Sequence, residues 1–127
     1  MPPFIMAHVS TPVWPWAERA TYRALLSALL DEFADAPLYA DISALTTITK
    51  IGYLRELARR QELHAKLLFG SDFPVPMSMW RLRRDLGRDH ARIAAEPSWP
   101  NRMVHIFRHM GFNEIVLQQA PRVLRMR

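Results

Sequence analysis

Apolar and polar positions along this chain change their period several times, and each change marks an element. Phe4-Ile5-Met6-Ala7-His8 reads as a short strand, and counting by twos puts Phe4, Met6 and His8 on one face, with the imidazole at the C-terminal end. The stretch from Ser10 to Trp16 contains Pro12 and Pro15, which stop both strand and helix. Its Trp14 and Trp16 either line a pocket or pack beneath the loop. From Ala17 to Ala34 the residues Tyr22, Leu25, Leu26, Leu29, Leu30 and Phe33 keep helical spacing, and Asp35-Ala36-Pro37 ends the helix.

Leu38 to Ser43 alternates again and predicts a second strand, with Tyr39, Asp41 and Ser43 on one side and Leu38, Ala40 and Ile42 on the other. Asp41 and Ser43 either face a site or hold a neighbouring strand's loop by hydrogen bonds. A helix follows over Thr46 to Glu62, with Ile48, Ile51, Leu54, Leu57 and Ala58 spaced for burial and Gly52 weakening it by ~1 kcal/mol. Lys66-Leu67-Leu68-Phe69 is then a short buried strand, cut off by Gly70, Ser71, Asp72, Pro74 and Pro76. An acid, Asp72, is left at the strand's C-terminal end, where ligands collect in parallel sheets. The other assignment for Asp72, like that for Ser78, is a cap on the next helix.

After Pro76 the pattern is helix and loop only. Met79, Trp80, Leu82 and Leu86 give one helix an apolar side ended by Gly87, and Asp89 to Ala95 makes another short one. Pro97-Ser98-Trp99-Pro100 is a break, Asn101 a cap for Arg102 to Met110, and Asn113 a cap for a last helix to Arg125, bent by Pro121. Strand and helix alternate through the first half, which is the rhythm of a parallel sheet with helical crossovers. The fold class is therefore α/β with about three parallel strands and a helical C-terminal region, in one domain over residues 1–127.

Composition narrows the chemistry. Half of the chain is apolar, enough for a core, and the absence of cysteine excludes disulfides, thiolate metal sites and a cysteine nucleophile. No apolar run reaches the ~18 residues needed to cross a membrane, and Met1-Pro2-Pro3 lacks a secretion signal, so a soluble, cytoplasmic protein is expected. The net charge of +5 arises from arginines such as Arg81, Arg83, Arg84, Arg88, Arg122, Arg125 and Arg127. No nucleic-acid motif accompanies them, and binding of that kind is not expected. His64 lies at the opposite end of its strand from Asp72, too far to share a metal; His105 and His109 form an i, i+4 pair with no accompanying carboxylate motif.

Four stretches carry a resemblance. "LLFGSDFP" over residues 67–74, "FIMAHVS" over 4–10 and "LYADISAL" over 38–45 resemble strands of the amidohydrolase superfamily, in its amidohydrolase-related branch, and the segment from Asn113 to Arg125 resembles that branch's terminal helix. Gln119 stands where the branch commonly has asparagine, and Val9 where it has glycine. The resemblance implies the C-terminal portion of a (β/α) barrel, a partial barrel beginning at the sixth strand. It further implies that Asp72 is a metal ligand and proton acceptor, that His8 ligates the metal or handles protons, and that the cofactor is a divalent metal, zinc first among the candidates. The implied activity is a metal-dependent hydrolase or decarboxylase acting on a small carboxylate, lactone or amide.

The branch's His-x-His pair is absent from this sequence. Two ligands are fewer than the three that open zinc sites keep, so metal binding by the isolated chain is expected to be weak or absent. A closed barrel needs about eight strands and about 250 residues, and a partial one leaves two sheet edges open. Pairing with a complementary barrel fragment, or a homo-oligomer, is expected. The competing expectation is a non-catalytic interaction module with a half-barrel fold.

Overall fold

In the computed structural model, which describes residues 2–14 and 16–125, three parallel strands form one open sheet in the order β1-β2-β3. Met1, Pro15 and Arg127, named above in the N-terminal stretch, the proline loop and the arginines, lie outside the described residues. The strands are β1 (Phe4–Met6), β2 (Leu38–Asp41) and β3 (Leu67–Leu68). Phe4 pairs with Leu38, Met6 with Ala40, and Ala40 in turn with Leu67, so the strand ends are level at one rim. Between them run α1 (Ala20–Leu30) and α2 (Ile51–Arg59). After β3 come α3 (Arg83–Leu86), α4 (His90–Ala94), α5 (Trp99–Met110), α6 (Glu114–Gln118) and α7 (Ala120–Val123).

The core forms where helix stripes meet the sheet. Tyr22, Leu25, Leu26 and Leu29 of α1 and Ile51, Leu54 and Leu57 of α2 are buried with Ala40, Ile42 and Leu67. From the other side α5 contributes Met103, Ile106 and Phe107. Tyr22 and Tyr53 meet edge to face at 4.7 Å, and burial, followed by the nearby Glu56 carboxylate, pushes the Tyr22 phenol well up. No helix of the described residues is long and apolar enough to cross a membrane.

Several boundaries differ from the sequence expectation, each for a physical reason. The strand ends at Met6, not His8, because the chain turns into a tight 3-10 segment over Ala7–Ser10. The second long helix begins at Ile51 rather than Thr46; Thr46, Thr47 and Thr49 are β-branched and hold turns instead, leaving Ile48 half exposed. Trp80 is likewise exposed, whereas Leu82 and Leu86 are buried. Ser98, not Asn101, caps α5: its Oγ accepts the Asn101 N–H at 3.5 Å, and Pro100 sits in the first turn, where no donor is needed. Asn113 does cap α6, accepting from the Ile115 N–H at 3.1 Å.

The two sheet edges are unequal. In a parallel pair alternate residues face the partner, and since Ile42 N–H donates to Leu68 O, the polar groups of Leu67 and Phe69 face outward. Those groups are occupied: Phe69 N–H donates to Val116 O at 2.8 Å, and Gln119 Nε2 donates to Leu67 O at 2.6 Å and to Ala65 O at 3.2 Å. The segment containing α6 and α7 thus seals β3, and β1 remains the open edge. Gln119 is itself buried. Gln119→Ala is therefore expected to lower stability by about 1–3 kcal/mol, read from urea denaturation, since it leaves buried carbonyls unpaired.

Candidate functional site

Each strand delivers one polar group to the common rim. Asp41 closes β2, and its Oδ1 accepts three donors: the Ser43 N–H at 3.0 Å, the His8 N–H at 3.2 Å and, in a short contact, the Ser43 hydroxyl. Asp41 and Ser43 therefore do hold the neighbouring strand's loop, and in doing so they line the same pocket as His8. The His8 carbonyl accepts from Thr11 N–H and Thr11 Oγ1, which fastens the far side of that loop.

This bonding fixes the imidazole. Ser43 Oγ carries one hydrogen and gives it to Asp41, so its 2.9 Å contact with His8 Nδ1 is made by an Nδ1–H donor. The lone pair is left on Nε2. Nε2 points at Asp72, whose Oδ2 lies 3.6 Å away, too far for a direct hydrogen bond. Asp41 Oδ1 lies 3.6 Å from the opposite nitrogen, so the two acids flank the ring and do not converge on one atom. Ser43→Ala should release the tautomer: His8 ring nitrogen NMR would show a mixture where the parent shows protonated Nδ1.

The backbone at this rim is unusual. His8, Val9 and Ser10 each have φ of 52°, Ala44 has 59° and Asp72 has 47°. Aspartate and histidine accept this left-handed region more readily than most residues, but β-branched Val9 does not. Conformations of this kind cost of order 1–3 kcal/mol each and persist where surrounding contacts impose them. Here the burial of Val9 and the bonds to His8 supply those contacts.

Gly70 is needed for a different reason. A Cβ there would meet Ser43 Cβ at 3.2 Å, tighter than an ordinary contact, so any side chain after β3 would have to push Ser43 aside by a few tenths of an ångström. Gly70→Ala is expected to displace Ser43 and weaken its bond to Nδ1, which the same NMR experiment would register as partial loss of the fixed tautomer.

The pocket at the rim measures about 480 Å³, within the size range of small-ligand sites, and pairs His8, Asp41, Ser43 and Asp72 with apolar walls from Leu68 and Phe69. Asp72 does not cap a helix. The 3-10 turn after Pro76 starts behind Ser78 with no side-chain cap, and the Asp72 carboxylate, about one third exposed, faces His8.

Sequence reasoning passed over Lys50, which is buried at the start of α2 within the electrostatic field of Asp72 and Asp41. The available signal was a lysine inside a stretch otherwise spaced for burial. Trp14 and Trp16 neither line this pocket nor pack under their loop; they stack on each other at 5.3 Å, exposed. His64 is buried away from the rim, with Nε2 bonded to Leu57 O and Nδ1 accepting from Asn113 N–H. His109 instead pairs with Asp89 at 3.3 Å.

Two donors on one tetrahedral zinc stand about 3.4 Å apart, and an unprotonated imidazole nitrogen beside a carboxylate oxygen at 3.6 Å is of that dimension. Both are acceptors, so no direct hydrogen bond joins them. The pair fits a shared cation, but among the described residues no group of three or more His, Asp or Glu side chains is arranged to hold one. No protein family, curated protein or solved structure matches this chain.

Proposed function

We propose that this chain carries part of the reaction centre of a metal-dependent hydrolase or decarboxylase of the amidohydrolase-related kind, acting on a small carboxylate, lactone or amide. The observation that carries the reading is the facing of His8 Nε2 and Asp72 Oδ2 at 3.6 Å across the rim of a parallel sheet. In this reading the three strands are an incomplete (β/α) barrel, closed off at β3 by Val116 and Gln119 and able to extend only at β1, and His8 and Asp72 would be two of the ligands of a divalent ion. Such an ion supplies Lewis acidity and makes water a better nucleophile. Asp72 would hold the ion and serve as proton acceptor for water activated there, while Asp41 with Ser43 keeps the imidazole lone pair aimed into the pocket. The missing ligands come from a complementary piece docked on the open β1 edge.

Zinc titration of the purified chain tests the reading. Weak one-to-one binding is expected, lost in both His8→Ala and Asp72→Asn. Binding that survives both substitutions would overturn it.

A second reading, a non-catalytic interaction module, draws on the same edge. Phe4 and Met6 are exposed on β1, beside an apolar recess of about 240 Å³ formed with Phe33, Pro37 and Leu38. Measuring the particle size separates the two. Association that disappears in Phe4→Glu while no zinc is bound would favour the module.

A further inference from the structure

Tryptophan is highly buried on average, yet Trp80 is 66% exposed. The local backbone is the cause. Met79 to Leu82 is a 3-10 turn that runs straight into α3, and with about three residues to a turn it sends Leu82 and Leu86 into the core and leaves the indole outside. The turn is fastened from α2. Arg55 Nε and Nη2 each donate to the Asp85 carboxylate at 2.9 Å, and Nη2 also reaches the Arg81 carbonyl at 3.3 Å. Trp80 is thus presented to solvent on a fixed piece of backbone.

The charge around it is one-sided. Arg55, Trp80, Arg81, Arg83 and Arg84 line a recess of about 350 Å³, which shares no residue with the pocket of His8 and Asp72. Asp85 matches Arg55, but among the described residues no carboxylate pairs with Arg81, Arg83 or Arg84, all three of them exposed. Guanidinium groups fit phosphate oxygens in pairs of hydrogen bonds. Arg81 Cζ stands 5.6 Å from the centre of the Trp80 ring, so whatever stacks on the indole finds a cation beside it.

We propose that this recess binds single-stranded nucleic acid, with a base stacked on Trp80 and the neighbouring phosphates on Arg81, Arg83 and Arg84. An acidic peptide would satisfy the arginines but brings no regular flat surface to the indole. A duplex brings phosphates, but its bases are already stacked on each other. A single strand uses both parts of the site, and the net charge of +5 draws such a polyanion in. No nucleic-acid motif marks the sequence, because the site depends on the turn that puts Trp80 outside, where a regular helix would have placed it with Leu82 and Leu86.

The test uses the full chain and a fluorescein-labelled oligothymidylate, followed by anisotropy from about 50 mM salt upward, with polyglutamate in parallel. Saturable binding that weakens with salt is expected. Trp80→Ala leaves every charge in place and should weaken binding at least about fivefold, whereas Trp80→Phe should keep it within about twofold. Arg83→Gln combined with Arg84→Gln should flatten the slope of log affinity against log salt by about 1.4, at ~0.7 for each phosphate contact. Arg23→Gln combined with Arg125→Gln removes the same charge from outside the recess and should leave that slope nearly unchanged. Equal affinity in parent and Trp80→Ala overturns the site, as do equal effects of the two double variants or the absence of saturable binding. Polyglutamate binding as tightly as the oligothymidylate overturns the nucleic-acid assignment in favour of an acidic protein partner.

Discussion

Phe107→Ala is expected to remove about 3–5 kcal/mol of stability, measured by chemical denaturation. Phe107 is fully buried on α5 and meets Phe69 edge to face at 5.8 Å and Phe112 at 5.5 Å. Alanine would leave a hole bounded by two aromatic rings that cannot close over it, because Phe69 is tied through its N–H to Val116 and Phe112 through its N–H to Phe107 O. The effect reaches the rim as well. Phe69 precedes Gly70 and lines the pocket, so its loosening frees the strand end that carries Asp72. A loss below about 1.5 kcal/mol would mean that α5 packs against the sheet less tightly than described.

His64→Leu should be almost as damaging, at roughly 2–5 kcal/mol, although leucine fits the apolar surroundings. The ring is 1% exposed and makes two bonds: Nε2–H donates to Leu57 O at 2.9 Å, and Nδ1 accepts the Asn113 N–H at 3.1 Å. Leucine leaves both backbone groups unpaired in the interior and forfeits the stack on Phe112. Asn113 begins the segment that seals β3, so hydrogen exchange at Phe69 should quicken in the variant. Protection unchanged at Phe69 would show that α6 is held there by other means.

Much of the architecture was legible because period is a local property. The stripe at Tyr22, Leu25, Leu26 and Leu29 and the abrupt stop after Phe69 needed no knowledge of the rest of the chain, and strand-helix alternation implied a parallel sheet. Asp72 could be placed at the rim because a buried run followed by Gly70 and two prolines has little choice but to turn there. The fate of His8 was harder to read. Alternation put it on a strand, whereas it sits in a left-handed loop held by Asp41, a partner 33 residues away. Its tautomer depends on Ser43 and Asp41 together, which no single-strand pattern expresses.

Lys50 was hidden for a related reason. With a helix drawn from Thr46, it lay within a continuous helical face; with the helix starting at Ile51, it becomes the buried residue that introduces α2. The threonines decide between the two, and their effect is a sum of small propensities that a periodic stripe outweighs on paper. The sealing of β3 by Gln119 likewise joins residues more than fifty positions apart. Sheet edges are known only when such partners are known.

Nitrogen NMR of the His8 ring, in alkaline buffer with and without added zinc, tests the central claim most directly. A protonated Nδ1 and a bare Nε2 are expected in the free protein, with zinc moving the Nε2 resonance and Asp72→Asn abolishing that movement. A proton on Nε2 with Nδ1 bare, or a ring that zinc leaves unmoved, would contradict it.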